Sequence, residues 1–182
     1  MAIASCSDSQ RAERSLAGGD MADQEFTDFV TIESDSGLVQ WRLEAPVARV
    51  YNIRNLLVTD QPVISFYDEK GIVTSVLTAE KAEYNKISHN LTALGNVVVT
   101  STEGYVLETE SLTWLDDIGQ IHGEDFVKVT KGRDLTLTGF GFQGYPELRN
   151  IDIKKSVKAY LRDEEGLVGE ELESETAKEA QE

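Results

Sequence analysis

Few residues in this chain have side chains suited to covalent, acid–base or metal chemistry, and their spacing argues against all three. The two histidines, His89 and His122, fall in or beside turn-forming stretches, with no cysteine or second histidine at ligand spacing. His122 is followed by Glu124 and Asp125, but on a strand those side chains point to different faces. Asp116-Asp117 reads as the start of a turn. No Ser or Cys nucleophile is set beside a base, and the glycines form no phosphate-cradling loop. No metal, cofactor or catalytic set is expected. One chemical signature stands at the start: Ile3-Ala4-Ser5-Cys6 has the small-residue spacing of a bacterial lipoprotein cleavage box, in which the cysteine is acylated. The five residues ahead of Cys6 are too few for a signal peptide's charged and apolar regions. Acylation of Cys6 and a plain thiol in a leader both stand as readings.

The remaining signal is apolar, and it repeats. A shift of thirty residues carries Leu77, Ala79, Ala82 and Tyr84 onto Leu107, Thr109, Leu112 and Trp114. The same shift carries Leu91, Val97 and Val99 onto Ile121, Val127 and Val129. A third copy begins at Leu135 and Leu137, and an earlier relative is Trp41-Arg-Leu43-Glu-Ala45. Repeats near this period mean one supersecondary unit stacked on itself, each neighbour burying a shared face.

Inside each copy the period is two. Leu77 and Ala79 alternate with Thr78 and Glu80, as Leu107 and Thr109 do with Glu108 and Glu110. That is a strand with one packed and one wet face. The three-residue steps from Ala79 to Ala82 and from Thr109 to Leu112 change parity, and a bulge there returns Tyr84 and Trp114 to the apolar face. Each unit is therefore a long bent strand, a turn and a returning strand. Turn signals every 8–12 residues, with no convincing helix, favour a sandwich, a jelly roll or a barrel-like body. Pro46 marks the end of the Trp41–Ala45 strand as a bulge or an edge.

Composition bounds the partners. Residues 1–24, 25–162 and 163–182 carry net charges of −2, −6 and −8, so half of the total of −16 lies in the last twenty residues. The first segment reads as a flexible tether, the second as the body, the third as a solvated acidic tail with a short helix over Glu171–Glu179. A body of net −6 has no basic stripe for nucleic acid. A single cysteine excludes an internal disulfide framework, and no run of eighteen apolar residues is present to span a membrane as a helix.

One interior is expected to collect Trp41, Leu43, Ala45, Leu77, Ala79, Tyr84, Val97, Val99, Leu107, Leu112, Trp114, Val127, Val129, Leu137, Phe140 and Phe142. It reads either as an ordinary core or as the seam of a folded-over sheet that is not fully closed and accepts acyl chains. The end strands, around Phe26, Phe29 and Ile32 and around Ile151, Ile153 and Val157, are expected to be edges that add a partner's strands.

The order Gly37-(x)3-Trp41-(x)-Leu43-(x)-Ala45, Pro62-Val-Ile-Ser-Phe66-Tyr-Asp68, Leu77-Thr-Ala79, Leu94-Gly-Asn-Val-Val-Val99, Leu107-(x)-Thr109-(x)2-Leu112-(x)-Trp114, Val127-(x)-Val129 and Leu137-(x)-Gly139-(x)-Gly141-Phe142 resembles the LptC family. The resemblance covers residues 26–158. It implies an all-β, twisted, open β-jelly roll of stacked antiparallel hairpins. It further implies a non-enzymatic carrier that receives lipopolysaccharide from an inner-membrane ABC transporter and passes it to the periplasmic bridge protein LptA, of the same fold. The place implied is the periplasm of a Gram-negative bacterium, with attachment to the inner membrane through the N-terminus. Family members carry an N-terminal transmembrane helix; this sequence shows none, and a lipid on Cys6 is the natural substitute. Two alternatives are the soluble bridge protein itself and a structural β-repeat protein with a plain core.

Overall fold

Alternating apolar residues with glycine-rich turns between them produce, in the computed structural model, an all-β chain described over residues 21–163 and 166–170. The strands are β1 (Gln24–Asp35), β2 (Leu38–Tyr51), β3 (Leu56–Asp60), β4 (Val63–Tyr67), β5 (Val73–Thr78), β6 (Lys81–Asn85), β7 (Leu91–Ser101), β8 (Tyr105–Leu115), β9 (Gln120–Lys131), β10 (Leu135–Gly144), β11 (Ile151–Asp163) and β12 (Gly166–Glu170). Every pairing is antiparallel, and chain neighbours are sheet neighbours except β3 and β4, and β5 and β6. β3 and β4 are halves of one interrupted strand. Asp60 pairs with Val47 and Val63 with Glu44, in one unbroken register on β2. β5 and β6 are likewise two halves, facing β4 and β3.

The interruptions line up. Asp28 on β1 has φ 51°, Gln61 between β3 and β4 has φ 47°, Gly95 and Asn96 on β7 have φ 77° and 46°, Gly141 on β10 has φ 67° and Ser156 on β11 has φ 53°. Register shifts fall at the same level on β7–β8, β8–β9, β9–β10 and β10–β11. Hydrogen bonds still cross this line: Gln61 N donates to Glu80 O at 2.8 Å, and Glu80 N to Gly95 O at 2.9 Å. A bulge kinks its strand and sharpens the twist, so a row of them creases the whole sheet. The result is a single meander folded along its middle into two facing leaves. The first leaf ends in the turns at 36–37, 68–71, 102–104 and 132–134; the second ends in those at 52–55, 86–90, 116–119 and 145–150.

This is the twisted jelly roll of stacked hairpins, and the bends anticipated at Ala79–Ala82 and Thr109–Leu112 are members of the crease. Three expectations are corrected. Pro46 does not end its strand: β2 runs on to Tyr51, because Pro46 sits on the crease, between the partners β4 and β3, where its missing N–H leaves no ladder bond unmade. Buried parity on β2 flips there, from Trp41, Leu43 and Ala45 to Ala48 and Val50. Part of the stretch read as a solvated tail, Gly166–Glu170, forms β12 against Ala159–Asp163. Phe140 lies outside the core, 48 % exposed, while Phe142 two residues on is fully buried. The bulge at Gly141 turns the strand between them, and Phe140 stacks edge-on against Phe126 on the outer face at 5.4 Å. Cys6, the first twenty residues and Glu171–Glu179 lie outside the described residues.

Candidate functional site

Cross-strand neighbours build the space between the leaves in layers. In the first leaf, one layer out from the residues that flank the crease (Val97, Thr109 and Val127), runs Leu43–Ile64–Leu77–Val99–Leu107–Val129–Leu137–Ala159, each residue directly opposite the next on eight successive strands. At the sheet spacing of about 4.8 Å the row spans roughly 34 Å, and it holds no polar side chain. One layer nearer the turns runs Trp41–Phe66–Ser75–Ser101. Facing it on the second leaf is Leu57–Tyr84–Leu91–Trp114–Ile121–Gly144. Trp41 and Tyr84 meet edge to face at 5.5 Å, and Phe66 meets Trp114 at 5.3 Å, so aromatic rings bridge leaf to leaf just inside the mouth.

The mouth itself is clasped by polar groups. The Tyr84 hydroxyl donates to Glu33 at 2.6 Å, and His89 Nδ1 lies 2.9 Å from the same hydroxyl and 3.4 Å from the Glu33 carboxylate. Burial, and then the Glu33 carboxylate, push the Tyr84 phenol well above its usual range, so it remains a donor. Asp116 lines the same cleft, of about 560 Å³, with Glu33, Asp35, His89 and Asp117. Burial raises its pKa first and Glu33 and Asp35 add to the rise, while His89 and Trp114 oppose it. Farther along, Arg149 on the second leaf forms an ion pair with Glu103 on the first, and Leu148 beneath it is buried.

The structure brings most of the expected seam residues together. Trp41, Leu43, Leu77, Val97, Val99, Leu107, Leu112, Val127, Val129 and Phe142 are at most 2 % exposed in one cluster, with Ala45 and Trp114 buried beside them. Ala79, Tyr84 and Leu137 pack against it half-buried. Phe140 is the exception. Between the two leaves the seam is packed, and the aromatic pairs, the clasps and the 145–150 turn lie across its mouth. Sequence reasoning left out Ile64, Phe66, Leu91, Ile121 and Leu148 from the interior, although Val63–Tyr67 showed the same alternation.

Both expected edges are edges. Among the described residues, β1 pairs with β2 alone, and β11 is covered on its outer side by β12 only at Ala159–Asp163, leaving Ile151–Val157 unpaired there. Phe26 and Ile32 are exposed, while Phe29, Ile151, Ile153 and Val157 are half-buried. His122 and Glu124 share a face after all, with Nε2 2.9 Å from Oε1, and Lys154 completes a surface ion pair with Glu124 at 3.1 Å; only Asp125 turns away, to accept from Ser111 at 2.6 Å. Among the described residues, no three His, Cys, Asp or Glu converge on a point that could hold a metal, and no helix is long and apolar enough to cross a membrane.

Comparison with known proteins fits this geometry. The family model described as "Lipopolysaccharide-assembly, LptC-related" matches residues 21–162, from the start of β1 through nearly all of β11. The chain belongs to the LptC family. Among solved structures, this LptC-family chain is similar in fold to LptH of Pseudomonas aeruginosa, the LptA-homologous periplasmic component of that bacterium's lipopolysaccharide transport device. The TM-score is 0.53 at 10 % sequence identity, covering 68 % of this chain and 95 % of LptH. No curated protein matches the chain in sequence.

Proposed function

We propose that this LptC-family chain is a periplasmic lipid carrier, which receives lipopolysaccharide from the inner-membrane ABC transporter and passes it to a bridge protein of the same fold. The observation that carries the reading is the aliphatic row from Leu43 to Ala159, which continues without a break across eight successive strands of the sheet. A row buried only for stability needs no such continuity; a path for acyl chains does. A body of net −6 does not attract lipid phosphates, so the acyl chains are the buried part, held at about 25 cal/mol per Å² of apolar area. The free edges of β1 and β11 are where strands of the transporter's periplasmic domains and of the bridge protein add. Attachment to the inner membrane runs through the N-terminal segment, by a lipid on Cys6.

Strand parity supplies the test. A photo-crosslinking residue at Leu77 or Leu107 captures lipopolysaccharide, and one at Thr78 or Glu108, on the outer face, does not. Leu107→Asp, shown first to be folded, abolishes capture at Leu77, because its carboxylate is left unpaired among acyl chains. Capture from Glu108 with none from Leu107 overturns the carrier reading.

A further inference from the structure

The layers of the seam differ in chemistry, and that difference says how an acyl lipid sits in it. The Leu43–Ala159 row is wholly aliphatic. The mouth-side row contains two hydrogen-bonding groups with no partner among the described residues: the Trp41 indole nitrogen and the Ser75 hydroxyl. Trp41 is 1 % exposed and Ser75 is fully buried. They share one cross-strand row, with Phe66 between them, so they lie about 10 Å apart by strand spacing. Ser75 has the same parity as the seam residue Leu77, and Trp41 the same parity as Leu43. Both therefore face the other leaf.

A buried donor without an acceptor costs on the order of 1–3 kcal/mol, and natural cores eliminate most of them. Phenylalanine at 41 and alanine at 75 would fill the same layer at no such cost. Other polar groups of the seam are satisfied within the protein: Thr109 Oγ1 donates to the carbonyl of Phe126 at 2.9 Å, and Ser101 Oγ accepts from the amide of Glu103 at 3.2 Å. Among the described residues the unpaired groups are Trp41 and Ser75 in this row and the Trp114 indole nitrogen in the row that faces it, all one layer inside the mouth.

We propose that Trp41 and Ser75 form a binding row for the polar linkages of acyl chains. Trp41 Nε1 donates to an ester or amide carbonyl, and Ser75 Oγ pairs with a carbonyl or a chain hydroxyl, while the hydrocarbon beyond occupies the Leu43–Ala159 row. The inference rests on the carrier reading and deepens it. The ligand class becomes acyl chains with oxygen functions near the head, and plain hydrocarbon meets two unsatisfied donors. Depth of insertion is set as well, since linkages stop at the Trp41 layer.

The test uses the full chain, purified lipopolysaccharide as probe, and the double variant W41F/S75A. The protein has two tryptophans, so ¹⁵N labelling gives two indole signals, assigned with Trp41→Phe. On adding lipopolysaccharide, the Trp41 indole proton moves downfield. The double variant, free of lipid, is as stable as the parent or more so in urea, since apolar replacements remove unsatisfied donors. Its affinity for lipopolysaccharide falls roughly fivefold to tenfold, the order expected for two neutral hydrogen bonds. Undiminished affinity, or a Trp41 indole signal that does not move while lipid is bound, overturns the binding row and leaves the carrier intact. Failure of the parent protein to bind lipopolysaccharide at all overturns the carrier reading, and the row with it.

Discussion

The hydroxyl of Tyr84, on the second leaf, donates a 2.6 Å hydrogen bond to Glu33, on the first, across fifty-one residues of sequence. It is a bond between leaves rather than between neighbouring strands, so it opposes opening at the mouth and nothing else. Tyr84→Phe removes it and keeps the ring that packs on Trp41. The variant is expected to lose about 1–2 kcal/mol in urea denaturation, as for a bond to a charged acceptor that is partly wet. It also takes up lipopolysaccharide faster, read by stopped-flow fluorescence. A variant less stable by that amount with an unchanged uptake rate shows that this bond does not gate the seam.

Asp116 makes the same region sensitive to pH. Burial raises its folded pKa above the ordinary 3.8, with Glu33 and Asp35 adding to the rise. Between 3.8 and that raised value the folded state binds more protons than the unfolded state, so stability from this group is greatest below pH 3.8. It falls as pH rises through the folded pKa. Asp116→Asn keeps the backbone N–H that donates to Asn90 Oδ1 at 3.1 Å. The variant should therefore be more stable than the parent at pH 7, with the advantage shrinking toward pH 3.8. Thermal melts across pH 3–8 measure it, and an advantage that grows toward acid refutes the assignment.

How much of this was legible in the sequence follows from the range of each interaction. Alternation at Leu77, Leu107, Val127 and Val129 is local, and it placed those residues in the seam correctly. Parity breaks at Ala79–Ala82 and Thr109–Leu112 are local too, and they marked two points of the crease. Pro46 reads in the sequence as a bulge or an edge ending its strand, because a proline on a crease and a proline at an edge look alike until the partner strands are known. Ser75 and Glu33 gave no signal. One is a small polar residue in an alternating strand, and the other finds its partner fifty-one residues away.

At the C-terminal edge, β12 pairs with Ala159–Asp163 of β11 and so covers the continuation of the Ile151–Val157 stretch read as a docking edge. Natural sheets protect edges in this way. Deleting residues 164–182 lengthens the free edge of β11 and should raise affinity for the bridge protein about threefold to tenfold, measured by titration calorimetry. Because the deletion also removes eight acidic residues, the gain must persist at 0.5 M salt, where the Debye length is about 4 Å. Unchanged or weaker binding at that salt places docking away from this part of the edge.

Phe140 and Phe142 test the crease directly. They stand two residues apart and would share a face on a regular strand, yet one is 48 % exposed and the other fully buried. The turn between them is made at Gly141, whose φ of 67° costs any other residue about 1–2 kcal/mol. Gly139, on the same strand, lies so close to β11 that a Cβ there would collide with Ile153 Cγ2 and stand 2.7 Å from Lys155 O, and a side chain would push β11 away. Phe142→Ala is expected to cost about 3–5 kcal/mol, the range for a buried ring. Phe140→Ala gives up its outer-face contact with Phe126 at about 1 kcal/mol. Gly141→Ala should fall between the two, destabilising through the backbone while both rings are unchanged. Equal losses at positions 140 and 142 in chemical denaturation would mean a regular strand there. In that case β10 would lie flat, and the leaves would not meet at Phe142.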